Sequence, residues 1–256
     1  MSHVYSSDFF DYIDAGVQTS AEALVGALYP MLATTSVVDF GCGRGLWLAQ
    51  WSATGVEDIV GVDGDYVDRA NLGIPEDKFR GLDLTMPIDL GRKFDLCQSL
   101  EVAEHLPGEA SSTFIDTLVR HSDCVLFSAA VPGQGGEFHI NERPMEFWRA
   151  CFRERGYQPF DCIRPGLAGN PAVEPWYRYN TVLYANGAGA GRLPDDVLGT
   201  RVDEGVPLAD FSSLPWKLRK AVVRHLPRPL VTEIAQRRAV LIANKARRKK
   251  AQQGLA

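Results

Sequence analysis

The run Val37-Val38-Asp39-Phe40-Gly41-Cys42-Gly43-Arg44-Gly45 constrains the fold of this chain more than any other feature. A β-branched strand ends at glycines, and Leu46-Trp47-Leu48-Ala49-Gln50-Trp51 resumes directly after them with helical character. Strand, glycine turn and helix in that order bring a ligand against backbone N–H groups, because glycine lets the main chain approach closely and take positive φ. A dinucleotide fingerprint needs a third glycine where Leu46 stands, so a nicotinamide cofactor is disfavoured.

The same alternation continues along the chain. Apolar runs at Ile59 to Val62, Phe79 to Leu84, Phe94 to Leu100 and Cys124 to Ser128 read as strands separated by helical or turn-rich segments. Strands alternating with helices predict an α/β domain whose parallel sheet is covered on both faces. Upstream, Thr19-Ser20-Ala21-Glu22 offers a helix cap before the stripe Leu24, Leu28, Met31 and Leu32, predicting a first helix that runs to about Pro30. Downstream, Val131-Pro132-Gly133-Gln134-Gly135-Gly136 is a loop, and a helix follows between Pro144 and Gly156. Strands around Phe160 to Arg164 and Tyr177 to Tyr184 complete a domain spanning residues 1–186. Residues 187–214 open on Asn186-Gly187-Ala188-Gly189-Ala190-Gly191 and read as a flexible linker. Residues 215–256 read as a helical extension, Trp216 to Leu226 and Leu230 to Lys250, broken at Pro227-Arg228-Pro229.

Charge divides the chain unevenly. The net charge of −5 combines 12 Lys and Arg against one acid, Glu233, from Pro215 onward, with 15 basic and 31 acidic residues before it. Such a tail is either a solvated amphipathic helix packing on an acidic body or a second subunit, or a contact for nucleic acid or an acidic surface. The five cysteines are scattered without a C-x-x-C pair, which points to reduced thiols in a cytoplasmic protein. The start lacks a signal-peptide pattern, and no stretch approaches the roughly 20 apolar residues of a membrane span.

The Val-Val-Asp-Phe-Gly-Cys-Gly-Arg-Gly run resembles the first motif of class I S-adenosylmethionine-dependent methyltransferases, and the likeness extends over about residues 12 to 185. It implies a Rossmann-like fold with a seven-stranded, mostly parallel sheet and S-adenosylmethionine as cofactor, held at Asp39, Gly41, Cys42 and Gly43. Asp63, followed by Gly64, matches the acid that reads the ribose hydroxyls; Asp83, followed by Leu84, matches the residue beside the adenine amino group. Ser99 to Glu101 matches the strand end along the methionine portion. Read singly, an Asp after a strand is most often a turn former or cap. Tyr12, Gly16 and Ser20 are candidates to close the pocket from above.

Glu101, Glu104 and His105 have i, i+3, i+4 spacing, which on one helical turn faces both carboxylates and the imidazole the same way. Glu-x-x-Glu-His with the later His139 resembles the divalent-metal site of small-RNA 2′-O-methyltransferases, and ubiquinone-pathway O-methyltransferases carry a similar Glu-x-x-Glu-His. That resemblance implies that Glu101, Glu104, His105 and His139 hold Mg²⁺ or Mn²⁺ against an acceptor hydroxyl. Without metal, His139 or His105 is the candidate base and Glu101 its neighbour. The segment His139 to Trp148 and the run Trp176-Tyr177-Arg178-Tyr179-Asn180 resemble acceptor-flanking segments of bacterial methyltransferases of specialised metabolism and surface glycans, although core aromatics at strand spacing account for Trp176 and Tyr179 equally well.

These features favour O-methylation of a small molecule or sugar. Two alternatives stay open: methyl transfer on a partner reached through the basic tail, such as nucleic acid, and metal-independent methylation of an amine or carboxylate. The chain is also a candidate homodimer.

Overall fold

A computed structural model describes residues 7–227, 229–237 and 240–241, with side chains from residue 16 onward. Seven strands form one sheet: β1 (Ser36–Phe40), β2 (Asp58–Asp63), β3 (Phe79–Gly81), β4 (Leu96–Leu100), β5 (Cys124–Ser128), β6 (Gln158–Phe160) and β7 (Val182–Ala185). Their order is β3-β2-β1-β4-β5-β7-β6, and β7 alone runs against its neighbours. This is the seven-stranded, mostly parallel Rossmann-like sheet that the sequence predicts.

Alternating side chains sort the strands onto two cores. Val37, Leu96 and Leu126 point to one face, where α1 (Ser7–Leu28) contributes Leu24 and Leu28 and α2 (Leu46–Ala53) contributes Leu48 and Trp51. Val38, Cys97 and Val125 point to the other, against Phe114 and Leu118 of α3 (Ser111–His121) and Trp148 and Phe152 of α4 (Met145–Arg153). Burial on both faces explains why these strands read as continuous apolar runs.

Several boundaries differ from the sequence reading. Ser20 lies inside α1 rather than at its start; its hydroxyl donates to the Gly16 carbonyl at 2.7 Å and accepts from Glu174 N at 3.0 Å, so a capping-type residue is spent on an interior contact. Residues 164–167 form a short helix, α5 (Arg164–Leu167), and α6 (Pro175–Asn180) replaces the expected start of the last strand because Pro175 occupies a first helical turn. Trp176 and Tyr179 are therefore helical residues.

Residues 187–214, expected as a linker, carry α7 (Gly187–Ala190) and α8 (Asp195–Leu198). The Asn186 side chain caps α7 at Gly189 N, and the Arg149 guanidinium gathers the carbonyls of Val202, Asp203 and Val206. Backbone satisfaction by a buried arginine is what a glycine-rich composition does not announce. Beyond them lie α9 (Leu214–Val223) and a helical run at 229–237. The Tyr12 side chain and the expected helix past residue 241 fall outside the described residues.

Candidate active site

The sheet order reverses between β1 and β4, and in open α/β sheets the crevice at such a switch point is where ligands bind. Here the crevice is a cavity of about 430 Å³ running from the Gly41–Gly43 turn to the helices beyond residue 214. Gly41 has φ +87°, and a Cβ built there would lie 2.3 Å from Val102 Cγ2. Gly43 has φ +53° with open space where its Cβ would stand. The first glycine is thus demanded by packing, the second by a conformation that leaves the main chain bare to a ligand.

Asp63 organises the turn. Its carboxylate accepts from Gly43 N (2.7 Å), Gly64 N (2.7 Å) and the Tyr66 hydroxyl (2.6 Å) while lining the cavity. Burial pushes its carboxyl up despite those three donors. Behind it, Trp51 Nε1 donates to Gln98 Oε1 at 3.0 Å and Gln98 Nε2 to Asp39 Oδ2 at 3.2 Å. Burial and the Asp63 charge push the Asp39 carboxyl up to about 8, against the pull of the Gln98 bond.

Not every sequence candidate reaches the cavity. Asp39, Gly41, Cys42, Gly43, Asp63 and Leu84 line it. Asp83 is exposed and accepts from Thr85 N (2.9 Å) and the Thr85 hydroxyl (2.7 Å), the turn-forming role of an Asp after a strand. Gly64 supports Asp63 from behind the wall, and Ser99 sits within β4 with a buried hydroxyl that has no hydrogen-bond partner. Gly16 lines the cavity beside Glu174.

At the far side of the turn, β4 ends in a break. Glu101 has φ +58°, sparsely populated for a residue with a side chain, and its N–H is held by Ser128 O (3.0 Å). The expected single helical turn therefore does not exist: Ala103–His105 is a 3₁₀ turn that begins after the break. Glu101 turns instead to Gln134 Nε2, with Asn180 Nδ2 at 3.5 Å, and burial pushes its carboxyl up despite these donors.

Glu104, His105 and His139 do converge, each offering a ligand atom within 4.8 Å of the others. Loop closure brings His139 there: Ile140 N and Asn141 N both donate to the Glu104 carbonyl (2.9 and 3.0 Å), and Asn141 Nδ2 donates to Ala103 O and Ser111 Oγ. The His105 and His139 rings meet edge to face with centroids 4.9 Å apart. His139 Nδ1 lies 2.9 Å from Glu142 Oε1, which orients the ring so that Nε2 faces away from that carboxylate. Burial works to raise Glu142, but the His139 bond and the N–H groups of Gly133 and Gly135 hold it below the usual carboxylate range.

Glu104 is the outlier of the site. Both carboxylate oxygens are buried without a hydrogen-bond partner, and burial together with the Glu101 charge pushes the group well up. Such a group is costly unless protonated or bound to a cation. Glu101 does not belong to this cluster of three. Gln134 falls in the loop, and Asn141 and Glu142 in the acceptor-flanking segment, that the sequence marked, but their individual roles were not legible because they arise from loop closure and no short motif encodes them. Only the proximity of Glu142 to His139, three residues on, could have suggested one.

The side of the cavity away from the glycine turn is walled by Glu174, Trp176 and Tyr177 and, from the C-terminal helices, by Trp216, Arg219, Val223, Val231 and Ile234. The Arg219 guanidinium donates to the Gln134 carbonyl and lies over the Trp216 ring, 4.8 Å from its centroid.

No curated protein matches the sequence. Among solved structures, the methyltransferase domain of bacterial CtHen1-C is similar at 20% identity and TM-score 0.51, covering 67% of this chain and 99% of that one. The sugar N-methyltransferase KedS8 from Streptoalloteichus sp ATCC 53650 is similar at 15% identity and TM-score 0.56, covering 73% and 94%. These likenesses concern the fold. The family model of the methyltransferase domain matches residues 17–160, more than half the chain and the whole of the Gly41–His139 crevice. The chain therefore belongs to the methyltransferase-domain family and is an S-adenosylmethionine-dependent methyltransferase.

Proposed function

We propose that the enzyme methylates a hydroxyl of a small-molecule or sugar acceptor, with a divalent cation held at Glu104, His105 and His139. The observation that carries this is the Glu104 carboxylate, buried with both oxygens unpartnered beside two imidazoles. Two nitrogen donors and a carboxylate suit Mn²⁺ or a similar transition ion better than Mg²⁺. Such an ion supplies a lowered pKa for a bound hydroxyl. S-adenosylmethionine supplies an electrophilic methyl group on a sulfonium.

Everything else falls to the chain. Gly41 to Gly43 and Asp39 receive the amino-acid end of the cofactor, and Asp63 takes the ribose hydroxyls, its oxygens already fixed by Gly43, Gly64 and Tyr66. Leu84 packs by the base; Asp83 contributes to its turn. The acceptor enters between the C-terminal helices and Trp176, where an apolar wall excludes water from the attacking oxygen. Glu101, held by Gln134 and Asn180, borders the path of the departing proton.

A specific observation supports a second reading. The Glu142 carboxylate 2.9 Å from His139 Nδ1 orients the imidazole as a carboxylate orients a general base, an arrangement that needs no metal. Labelled S-adenosylmethionine with sugar and phenolic hydroxyl acceptors, and with amino sugars, distinguishes oxygen from nitrogen as target. Complete loss of turnover after EDTA, restored by Mn²⁺, supports the metal reading; full activity in EDTA refutes it and leaves His139 as base.

A further inference from the structure

The helix α9 has two unlike faces. Trp216, Arg219 and Val223 look into the cavity, while Leu214, Leu218 and Val222, spaced i, i+4, i+8, stand on the outside at 70, 61 and 63% exposure. A row of aliphatic side chains so exposed serves no packing among the described residues. Past Pro227, Leu230 is exposed as well and lies outside the cavity.

Cations border the row. Lys217 lies on the same outer face, Arg224 is exposed one turn on, and the segment from Pro215 carries 12 Lys and Arg against Glu233 alone. Asp210 lies 3.8 Å from Lys217 and 3.7 Å from Lys220, and Glu137 accepts from Gln236 on the helical run beyond. The preceding chain, by contrast, holds 31 acids against 15 bases.

We propose that the outer face of α9 and the helical run after it dock the enzyme on an anionic lipid surface. Aliphatic side chains in a row with cations beside them fit the boundary between acyl chains and acidic headgroups. Neither half of that pattern fits the other partners. A nucleic-acid backbone rewards the cations but not the protruding leucines. A two-fold contact with a second copy rewards the leucines but brings the cations of one basic segment up to those of the other. Among the described residues no helix is long and apolar enough to cross a membrane, so the contact is interfacial. The acidic body is repelled by the same surface, so the arm alone makes the contact and fixes the orientation. Its inner face is built into the cavity wall: a Cβ at Gly133 would lie 2.3 Å from the Lys220 carbonyl oxygen. The membrane-facing row and the acceptor side of the site thus share one helix. The proposal stands apart from the choice of acceptor atom.

The test uses the full chain in co-sedimentation with vesicles of phosphatidylcholine, with and without phosphatidylglycerol. Binding to the anionic vesicles about tenfold above the neutral ones is expected, weakening with salt. The variant L214Q/L218Q/V222Q, whose residues lie outside the cavity, should lose about tenfold of that binding while S-adenosylhomocysteine affinity, measured by calorimetry, stays unchanged. Three results overturn the proposal: no vesicle binding at low salt, undiminished binding by the triple variant, or a lipid-free dimer in light scattering that the triple variant dissolves.

Discussion

Replacing Asp39 by Asn should remove most of the pH dependence of cofactor binding. In the empty protein Asp39 is buried beside Asp63 and its carboxyl is pushed up to about 8, so at neutral pH it is mainly protonated. A ligand ammonium placed against it favours the ionised form, and binding then expels a proton. At pH 8 about half the sites are ionised and at pH 6 about one in a hundred, so affinity for S-adenosylhomocysteine should fall roughly 50-fold between them. Calorimetry at pH 7 in buffers of different ionisation enthalpy should register about 0.9 proton released per ligand bound. Asp39→Asn keeps the Gln98 contact but carries no proton to lose, so its affinity should be lower at pH 8 and nearly flat down to pH 6. If wild type and variant share one slope, or wild-type affinity does not change over that range, Asp39 does not face the cationic end of the cofactor and the assignment of that end to the Gly41 turn fails.

Three further outcomes test other parts of the site. A Cβ at Gly136 would lie 2.2 Å from His139 Nε2, so Gly136→Ala should displace that ring and depress turnover as far as His139→Ala does, with S-adenosylhomocysteine affinity intact in calorimetry. Gly41→Ala meets both φ +87° and the Val102 side chain; it should cost about 2 to 4 kcal/mol in denaturant unfolding, and Val102→Ala added to it should recover part of that loss. Glu104→Gln should stabilise the metal-free protein. The native Glu104 carboxyl is raised by burial, so its contribution is present at acid pH and is lost as pH climbs above the unfolded value. Thermal melts of the wild type should therefore fall across that range, those of Glu104→Gln should fall less, and Mn²⁺ should raise only the wild type.

The parts of the fold that were legible in the sequence are those where local chemistry and burial agree. Val37 to Gly45 could be read because strand propensity, glycine conformation and the helix restart act within nine residues. Ser20 misled because a hydroxyl that caps a helix in solution can equally return its proton to the carbonyl four residues back and accept from a distant strand of chain, as it does with Gly16 and Glu174. Trp176 to Asn180 misled because aromatics suit strands, while Pro175 carried the contrary signal and was passed over. Asp83 kept the interval of a cofactor acid, but spacing along the chain says nothing about which way a carboxylate turns after a short strand. The Glu101 to His139 cluster shows the opposite case. The helical-face argument for it fails at Glu101, whose φ of +58° ends the strand with a break, yet three of the four residues still meet because the 139–141 backbone is pinned to the Glu104 carbonyl.

Burial gives these separate acids a common logic. Asp39, Asp63, Glu101 and Glu104 all lie along one cavity, and in each the carboxyl is pushed up chiefly by loss of water. Four such groups cannot all ionise in an empty cavity, because each new charge is desolvated and repelled by the last. The cavity therefore keeps protons that a bound positive charge would release, and the two ends differ in how strongly. Asp63 has three donors and Asp39 one, so the glycine end tolerates ionisation in part, whereas burial and the Glu101 charge hold Glu104 toward its protonated form. Metal should then favour cofactor, since positive charge held at the Glu104 end lowers the cost of ionising Asp39 and Asp63, which the ammonium of the ligand requires. Calorimetric titration of S-adenosylhomocysteine with and without Mn²⁺ measures that coupling directly. A severalfold gain in affinity is expected in the wild type and none in Glu104→Gln; equal affinities in both would mean that the two ends of the cavity do not sense each other's charge.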